Sequence, residues 1–337
     1  VVAYYESSRD HHPTFAISSF AIAIHGGAGT LTREEMTPEK ETAYRDGLRQ
    51  AIEARSRMLE KGGSALDAVE AAVRALEDHP LFNAGKGAAF SYEGTHELDA
   101  AIMNGHTLEA GAVAGVKGIR NPVSLARMVM EQSRPRVAGG SRGGGVCPPD
   151  ESRAGAGRLF LYPGTLRSIA KEERAGGAPA ENPQKGARFG TVGAVALDKA
   201  GHLAVATSTG GLTNKRFGRV GDSPVVRAGT YANDRVAVSC TGDGEYFAAY
   251  DLACLVAYQG LELEEAGRIV IHEKLRKLGG EGGLIAVDAA GHLSLPFNSE
   301  GMYRAWHREN ESPQTAIYWN ARETIRLIWQ RTGPDYR

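Results

Sequence analysis

The spacing of apolar positions changes several times along the chain, and each change predicts an element. The alternation Ala21-Ile22-Ala23-Ile24 reads as a first strand, closed by a glycine-rich turn, His25-Gly26-Gly27-Ala28-Gly29. Thr37-Pro38 predicts a helix start, with a capping side chain and proline at the first helical position, and Gly62-Gly63 a stop. Ser64 opens a second helix. Here Ala65, Val69, Ala72, Val73 and Leu76 recur at helical spacing, and Asp67 completes a capping-box-like start. Residues 98–103 and 110–116 read as apolar strands and residues 122–132 as a third helix. From 133 to about 185, Gly, Pro, Arg and Ala dominate without a period, which predicts a linker or a disordered segment.

Order returns at residues 191–197 and 203–209, two apolar runs joined by Asp198-Lys199-Ala200-Gly201, a hairpin signal. A near copy occupies 285–295, where Val287-Asp288-Ala289-Ala290-Gly291-His292-Leu293 echoes Leu197-Asp198-Lys199-Ala200-Gly201-His202-Leu203. Two such hairpins predict stacked antiparallel sheets. Residues 236–240 read as a strand, 247–258 and 262–278 as helices. The sum is an α+β chain in a four-layer αββα sandwich. Residues 1–20 read as a polar leader that runs into the first strand. The apolar stretch 15–24 lacks the basic start of a signal peptide. The tail after Tyr318 carries no readable pattern.

Composition narrows the function classes. A chain of 337 residues suits one compact unit with a sizeable core, and a net charge of −1 leaves no electrostatic footprint for nucleic acid or an acidic membrane surface. No apolar run reaches the roughly 18 residues of a membrane helix. Cys147, Cys240 and Cys254 are too few and scattered for a disulfide framework or a zinc cluster, so a reducing, cytoplasmic setting is expected. The ten histidines show no paired ligand spacing, and the turn at 25–29 lacks the lysine and spacing of a phosphate loop.

The candidate chemistry centres on Gly190-Thr191-Val192-Gly193. Alone, a Gly-Thr pair opening an apolar run is an ordinary strand start. If the chain is cut before Thr191, however, that residue carries a hydroxyl nucleophile and an α-amine base with an ordinary pKa near 8. Downstream lies a dense polar series, at 207–211, 219–224 and 239–245.

With these segments the sequence resembles the plant-type asparaginases, also called isoaspartyl peptidases, of the N-terminal-nucleophile hydrolase superfamily. The resemblance covers 21–132 and 190–318. It rests on HGGAG (25–29), PLFNAGKGA (80–88), GTVGAVALD (190–198), ATSTGG (206–211), NKRFGRVGDSP (214–224) and SCTGDGE (239–245), in that order. It implies self-cleavage between Gly190 and Thr191 into α (21–190, behind the leader) and β (191–337) subunits that remain one compact domain. It also implies hydrolysis of L-asparagine and β-aspartyl dipeptides through a β-aspartyl ester on Thr191.

By motif, Thr209 orients the Thr191 hydroxyl, Arg219 pairs with the substrate α-carboxylate and Asp222 with its α-ammonium, and Thr241 and Gly242 donate to the oxyanion. No cofactor is implied for catalysis. A structural sodium ion is implied on the backbone of Leu76, Glu77, His79, Phe82, Ala84 and Lys86, and the assembly is expected to be a dimer of αβ units.

Two stretches depart from that pattern. Residues 137–166 differ throughout, yet their codons read one base forward permit a string that resembles the helix and tail of the family. Compensating frameshifts near Arg136 and Arg167 are therefore expected, which the codons of the gene decide. At Phe247-Ala248 about four residues, near one helical turn, are missing beside the 241–245 loop. The competing readings are an unprocessed, inactive homologue and a hydrolase of glycosylated asparagine.

Overall fold

Helix boundaries follow from their caps. In a computed structural model of the chain, residues 19–29, 33–133, 137–139, 190–243 and 248–319 are described. The first helix, α1 (Pro38–Glu60), starts behind Thr37, whose hydroxyl accepts from the Lys40 amide at 3.3 Å, with Pro38 where no helical N–H is needed. The second, α2 (Ala65–Glu77), starts behind Ser64. Its Oγ accepts from the Asp67 amide at 3.1 Å and donates to Asp67 Oδ2 at 2.7 Å. Small residues at 65, 68 and 72, with Val69, Val73 and Leu76, form the buried face of α2 and let it lie close on the sheet beneath. The third helix is α3 (Pro122–Gln132).

Eight strands form one sheet: β1 (Ala21–Ala28), β2 (Leu98–Asn104), β3 (Ala110–Val116), β4 (Val137–Gly139), β5 (Val192–Leu197), β6 (Leu203–Thr209), β11 (Met302–Arg308) and β12 (Gln314–Ala316). Their order is β12-β11-β1-β5-β6-β2-β3-β4, and every pair except the parallel β3–β4 is antiparallel. A second, antiparallel sheet has the order β10-β9-β8-β7, from β7 (Thr230–Ala232), β8 (Val236–Gly242), β9 (Gly282–Asp288) and β10 (Leu293–Ser294). Against it lie α4 (Ala249–Gln259) and α5 (Leu263–Arg268), which continues into a π-helical segment, Ile269–Leu275.

The central strands of the large sheet are buried on both faces, and side-chain alternation sorts their residues. Ile22, Ile24, Val192, Ala194, Ala204 and Ala206 pack with α1, α2 and α3 in one apolar cluster. Ala21, Ala23, Val195, Leu197, Leu203 and Val205 pack with the second sheet, α4 and α5 in another. Burial of each Leu, Ile or Val side chain stabilises by about 1.5–3 kcal/mol. The same alternation turns His25, Gly193 and Thr207 toward the second sheet, so polar groups collect at one end of the space between the sheets.

The two look-alike hairpins are β5–β6 and β9–β10, one in each sheet. Three expectations need amendment. The glycine-rich stretch is not a turn: β1 runs on through Ala28, with an irregularity in pairing between His25 and Gly27. The helix expected at 262–278 changes to π geometry after Arg268. The strands β7, β11 and β12 carry no signal read from the sequence. Most of the expected linker, and Phe247 of the shortened turn at Phe247-Ala248, lie outside the described residues, while Ala248 caps α4 and 137–139 of the linker form β4.

Candidate active site

Thr191 leaves the β5–β6 ladder beside Thr209, since Val192–Ser208 is the last pair of that hairpin and each strand steps one residue beyond it. Both threonines are buried. The Thr191 amide donates to Thr241 Oγ1 at 3.2 Å, its hydroxyl lies 3.4 Å from Ser223 Oγ, and its carbonyl accepts from the His25 ring at 2.9 Å. Ahead of it Gly190 is packed face to face on Gly27: a methyl on Gly27 would come within 2.8 Å of Gly190 Cα, and one on Gly190 would collide with Gly27. Glycine at 190 thus allows the close approach between β1 and the segment ahead of β5.

Thr241 and Gly242 end β8. Gly242 has φ +127°, a conformation L side chains rarely adopt, and a methyl there would collide with Glu281 O. Thr209 Oγ1 accepts from the Gly211 amide at 2.9 Å, and in the uncut chain the Thr191 hydroxyl faces Ser223. Asp222 is buried. Its side chain lies against Gly229, where a methyl would come within 2.6 Å of Oδ2, and its carbonyl accepts from Val225 and Gly229. The Arg219 guanidinium lies beside Gly221, 3.0 Å from where a methyl would stand. The structure therefore joins Thr191 to Thr241 and to Ser223, the neighbour of Asp222.

The loop after α2 reaches this site through Asn83. Its amide donates to Gly211 O at 2.8 Å, its Oδ1 accepts from Ala89 and its carbonyl from Gly210, which pins the turn that follows Thr209. The same loop gathers backbone oxygens. A methyl on Gly85 would come within 2.7 Å of Glu77 O and 3.0 Å of Arg120 O, and one on Gly87 within 2.8 Å of Pro80 O. Among the described residues, the carbonyls of Leu76, His79, Phe82 and Ala84 each accept a backbone N–H, and a carbonyl oxygen has two lone pairs. Burial pushes the Glu77 carboxyl up to about 8.

A family model described as asparaginase matches residues 18–142 and 164–317. The chain belongs to the asparaginase family. The match skips residues 143–163, within the stretch that departs from the family pattern. An isoaspartyl peptidase of Salmonella typhimurium is 52% identical over 317 residues, covering 88% of this chain and 98% of its own. One from Escherichia coli is 50% identical over 316 residues, covering 90% and 98%. A plant-type L-asparaginase of Pyrococcus abyssi is 39% identical over 314 residues, covering 88% and 99%.

Sequence reasoning missed Ser223, His25, Ser239, Thr207 and Thr230, all of which stand in or behind the site. Ser223, His25, Ser239 and Thr207 sit inside motifs that were read, but serine, threonine and histidine in strands announce nothing until the strands are placed side by side.

Proposed function

We propose that this protein is an amidohydrolase that cuts itself between Gly190 and Thr191, then hydrolyses L-asparagine and β-aspartyl dipeptides through Thr191. The observation that carries this reading is the setting of Thr191: its hydroxyl next to Ser223 and its amide nitrogen held by Thr241. In the uncut chain, Thr191 Oγ attacks the Gly190 carbonyl carbon. The Gly190–Thr191 C–N bond breaks as an ester to Oγ forms, which frees the Thr191 amine with the hydroxyl proton, and water then hydrolyses the ester to the Gly190 carboxylate and the Thr191 hydroxyl. That amine then takes the Thr191 hydroxyl proton as Oγ attacks the side-chain carbonyl of the substrate. Ammonia or an amine leaves, a β-aspartyl ester remains, and water clears it.

Thr209 orients the freed hydroxyl. Thr241 and Gly242 supply donors to the oxyanion, where pre-placed hydrogen bonds count most. Arg219 reads the substrate α-carboxylate and Asp222 its α-ammonium, a pairing that selects an amino-acid head group over an ordinary amide. A sodium ion, where bound, would supply structural charge: the backbone oxygens of Leu76, Glu77, His79, Phe82, Ala84 and Lys86 would hold it, after the negative end of α2. We read the two sheets and their helices as a four-layer αββα sandwich, and the assembly as a cytoplasmic dimer of αβ units.

Denaturing electrophoresis with mass spectrometry tests the function. Two chains, the smaller beginning at Thr191, together with release of aspartate from β-aspartyl dipeptides, are expected. Thr191→Ala is expected to remain one chain. The gap in the family match ahead of the cleavage point favours one second reading, an unprocessed homologue, and a single chain from the unaltered sequence would establish that instead.

A further inference from the structure

Behind the nucleophile runs a line of polar groups that the reaction above does not use. His25 Nδ1 lies 2.9 Å from the Thr191 carbonyl oxygen, and His25 Nε2 lies 2.9 Å from Ser239 Oγ. Ser239 Oγ is 2.8 Å from Thr207 Oγ1, which is 2.7 Å from Thr230 Oγ1, which is 3.0 Å from the Ser223 carbonyl oxygen. His25, Ser239, Thr207 and Thr230 are all fully buried.

The two ends of this line are carbonyls, which only accept. His25 must therefore carry a proton on Nδ1, and in the neutral ring Nε2 accepts from Ser239. The hydroxyls of Thr207 and Thr230 are left to serve three contacts with two protons. The shortfall shows at Thr230, whose one proton faces both Thr207 and Ser223. Burial keeps the ring neutral, holding its pKa down at about 3. The cross-strand partners of His25 are Gly193 and Arg304, and Arg304 lays its guanidinium over the Phe297 ring. The chain has also left room for the pair: a methyl on Gly193 would collide with Ser239 Oγ and His25 Nε2.

We propose that His25 is a positioning residue for the nucleophile. Its Nδ1–H fixes the Thr191 carbonyl, and Ser239, Thr207 and Thr230 lock that carbonyl in register with Ser223, whose hydroxyl faces Thr191 Oγ1. This rests on Thr191 being the nucleophile.

The test compares His25→Asn, whose amide nitrogen stands near the place of Nδ1, with His25→Gln, whose amide stands near that of Nε2. His25→Asn is expected to keep kcat toward a β-aspartyl dipeptide within about tenfold. His25→Gln is expected to lose about a hundredfold in kcat, the scale of a 1 Å misplacement, with KM unchanged and thermal stability matching that of the Asn variant. Equal kcat values, or a loss confined to KM, would overturn the proposal. Nitrogen-15 spectra of histidine-labelled, uncut Thr191→Ala protein give a readout independent of activity. A protonated Nδ1 and bare Nε2 at pH 7 are expected, and a protonated Nε2 overturns the proposal. An inactive wild type sinks the functional reading alone, leaving the tautomer to decide the His25 contact.

Discussion

At the scale of single residues, charge and burial set the energetics. If Arg219 and Asp222 read the head group, removing either leaves a substrate charge without its partner, which costs about 1.5–3 kcal/mol for a hydrogen bond to a charged group. Asp222→Asn should therefore lower kcat/KM by roughly ten- to a hundredfold, mainly through KM, while self-cleavage proceeds because no head group is present then. Steady-state kinetics beside a denaturing gel check both halves. His25 makes a different statement, about pH. Its folded pKa is depressed to about 3 from an ordinary 6.5, so the unfolded chain binds the proton first. Its contribution to stability is present above pH 6.5 and is lost as pH falls toward 3, at a limiting slope of about 1.4 kcal/mol per unit. His25→Asn has no such group, so its melting temperature should fall less than that of the wild type between pH 6.5 and 4.

At the scale of elements, the Thr209 turn depends on a loop from the other side of the proposed cleavage point. Asn83 pins Gly210 and Gly211, and Asn83 itself sits in the oxygen-rich loop after α2. A sodium ion there would steady the turn from a distance. Exchange of sodium for choline should lower the melting temperature and reduce kcat several-fold, and Asn83→Ala should reproduce the loss of kcat and make it insensitive to sodium. Unchanged kinetics in choline would remove the ion from the argument.

The legibility of these elements follows from how local their causes are. The capping threonine and Pro38 of α1, the Ser64 cap of α2 and the Asp198–Gly201 turn all act within a few residues, so a single window reveals them. By contrast, β11 reads Met-Tyr-Arg-Ala-Trp-His-Arg because it is buried on both faces and carries Arg304 inward among Phe297 and Trp319. No alternation survives that. Thr191, Arg219 and Asp222 were readable through ordered motifs. His25 and Ser239 were not, because their meaning depends on strands 214 positions apart meeting across two sheets.

At the scale of the whole molecule, strand order decides what self-cleavage does to the assembly. The large sheet places β1, from ahead of the cleavage point, between β5 and β11, both from behind it, and pairs β2 with β6 across the same divide. The helices α1, α2 and α3 precede the cut, yet their apolar cluster includes Val192, Ala194, Ala204, Ala206 and Ala305 from beyond it. Two products interleaved in this way cannot separate as folded pieces, because withdrawing either would expose a row of unpaired backbone groups and open both cores. Cutting one peptide bond at the end of β5 removes no ladder hydrogen bond, since Val192 is the first residue paired there. The cleaved protein should therefore keep the native mass of uncut Thr191→Ala by light scattering. It should unfold in one cooperative transition in which both chains lose structure together, and release them only in denaturant. Separate melting of the two chains, or their resolution on a native column, would mean that the sheet does not span the cleavage point in solution.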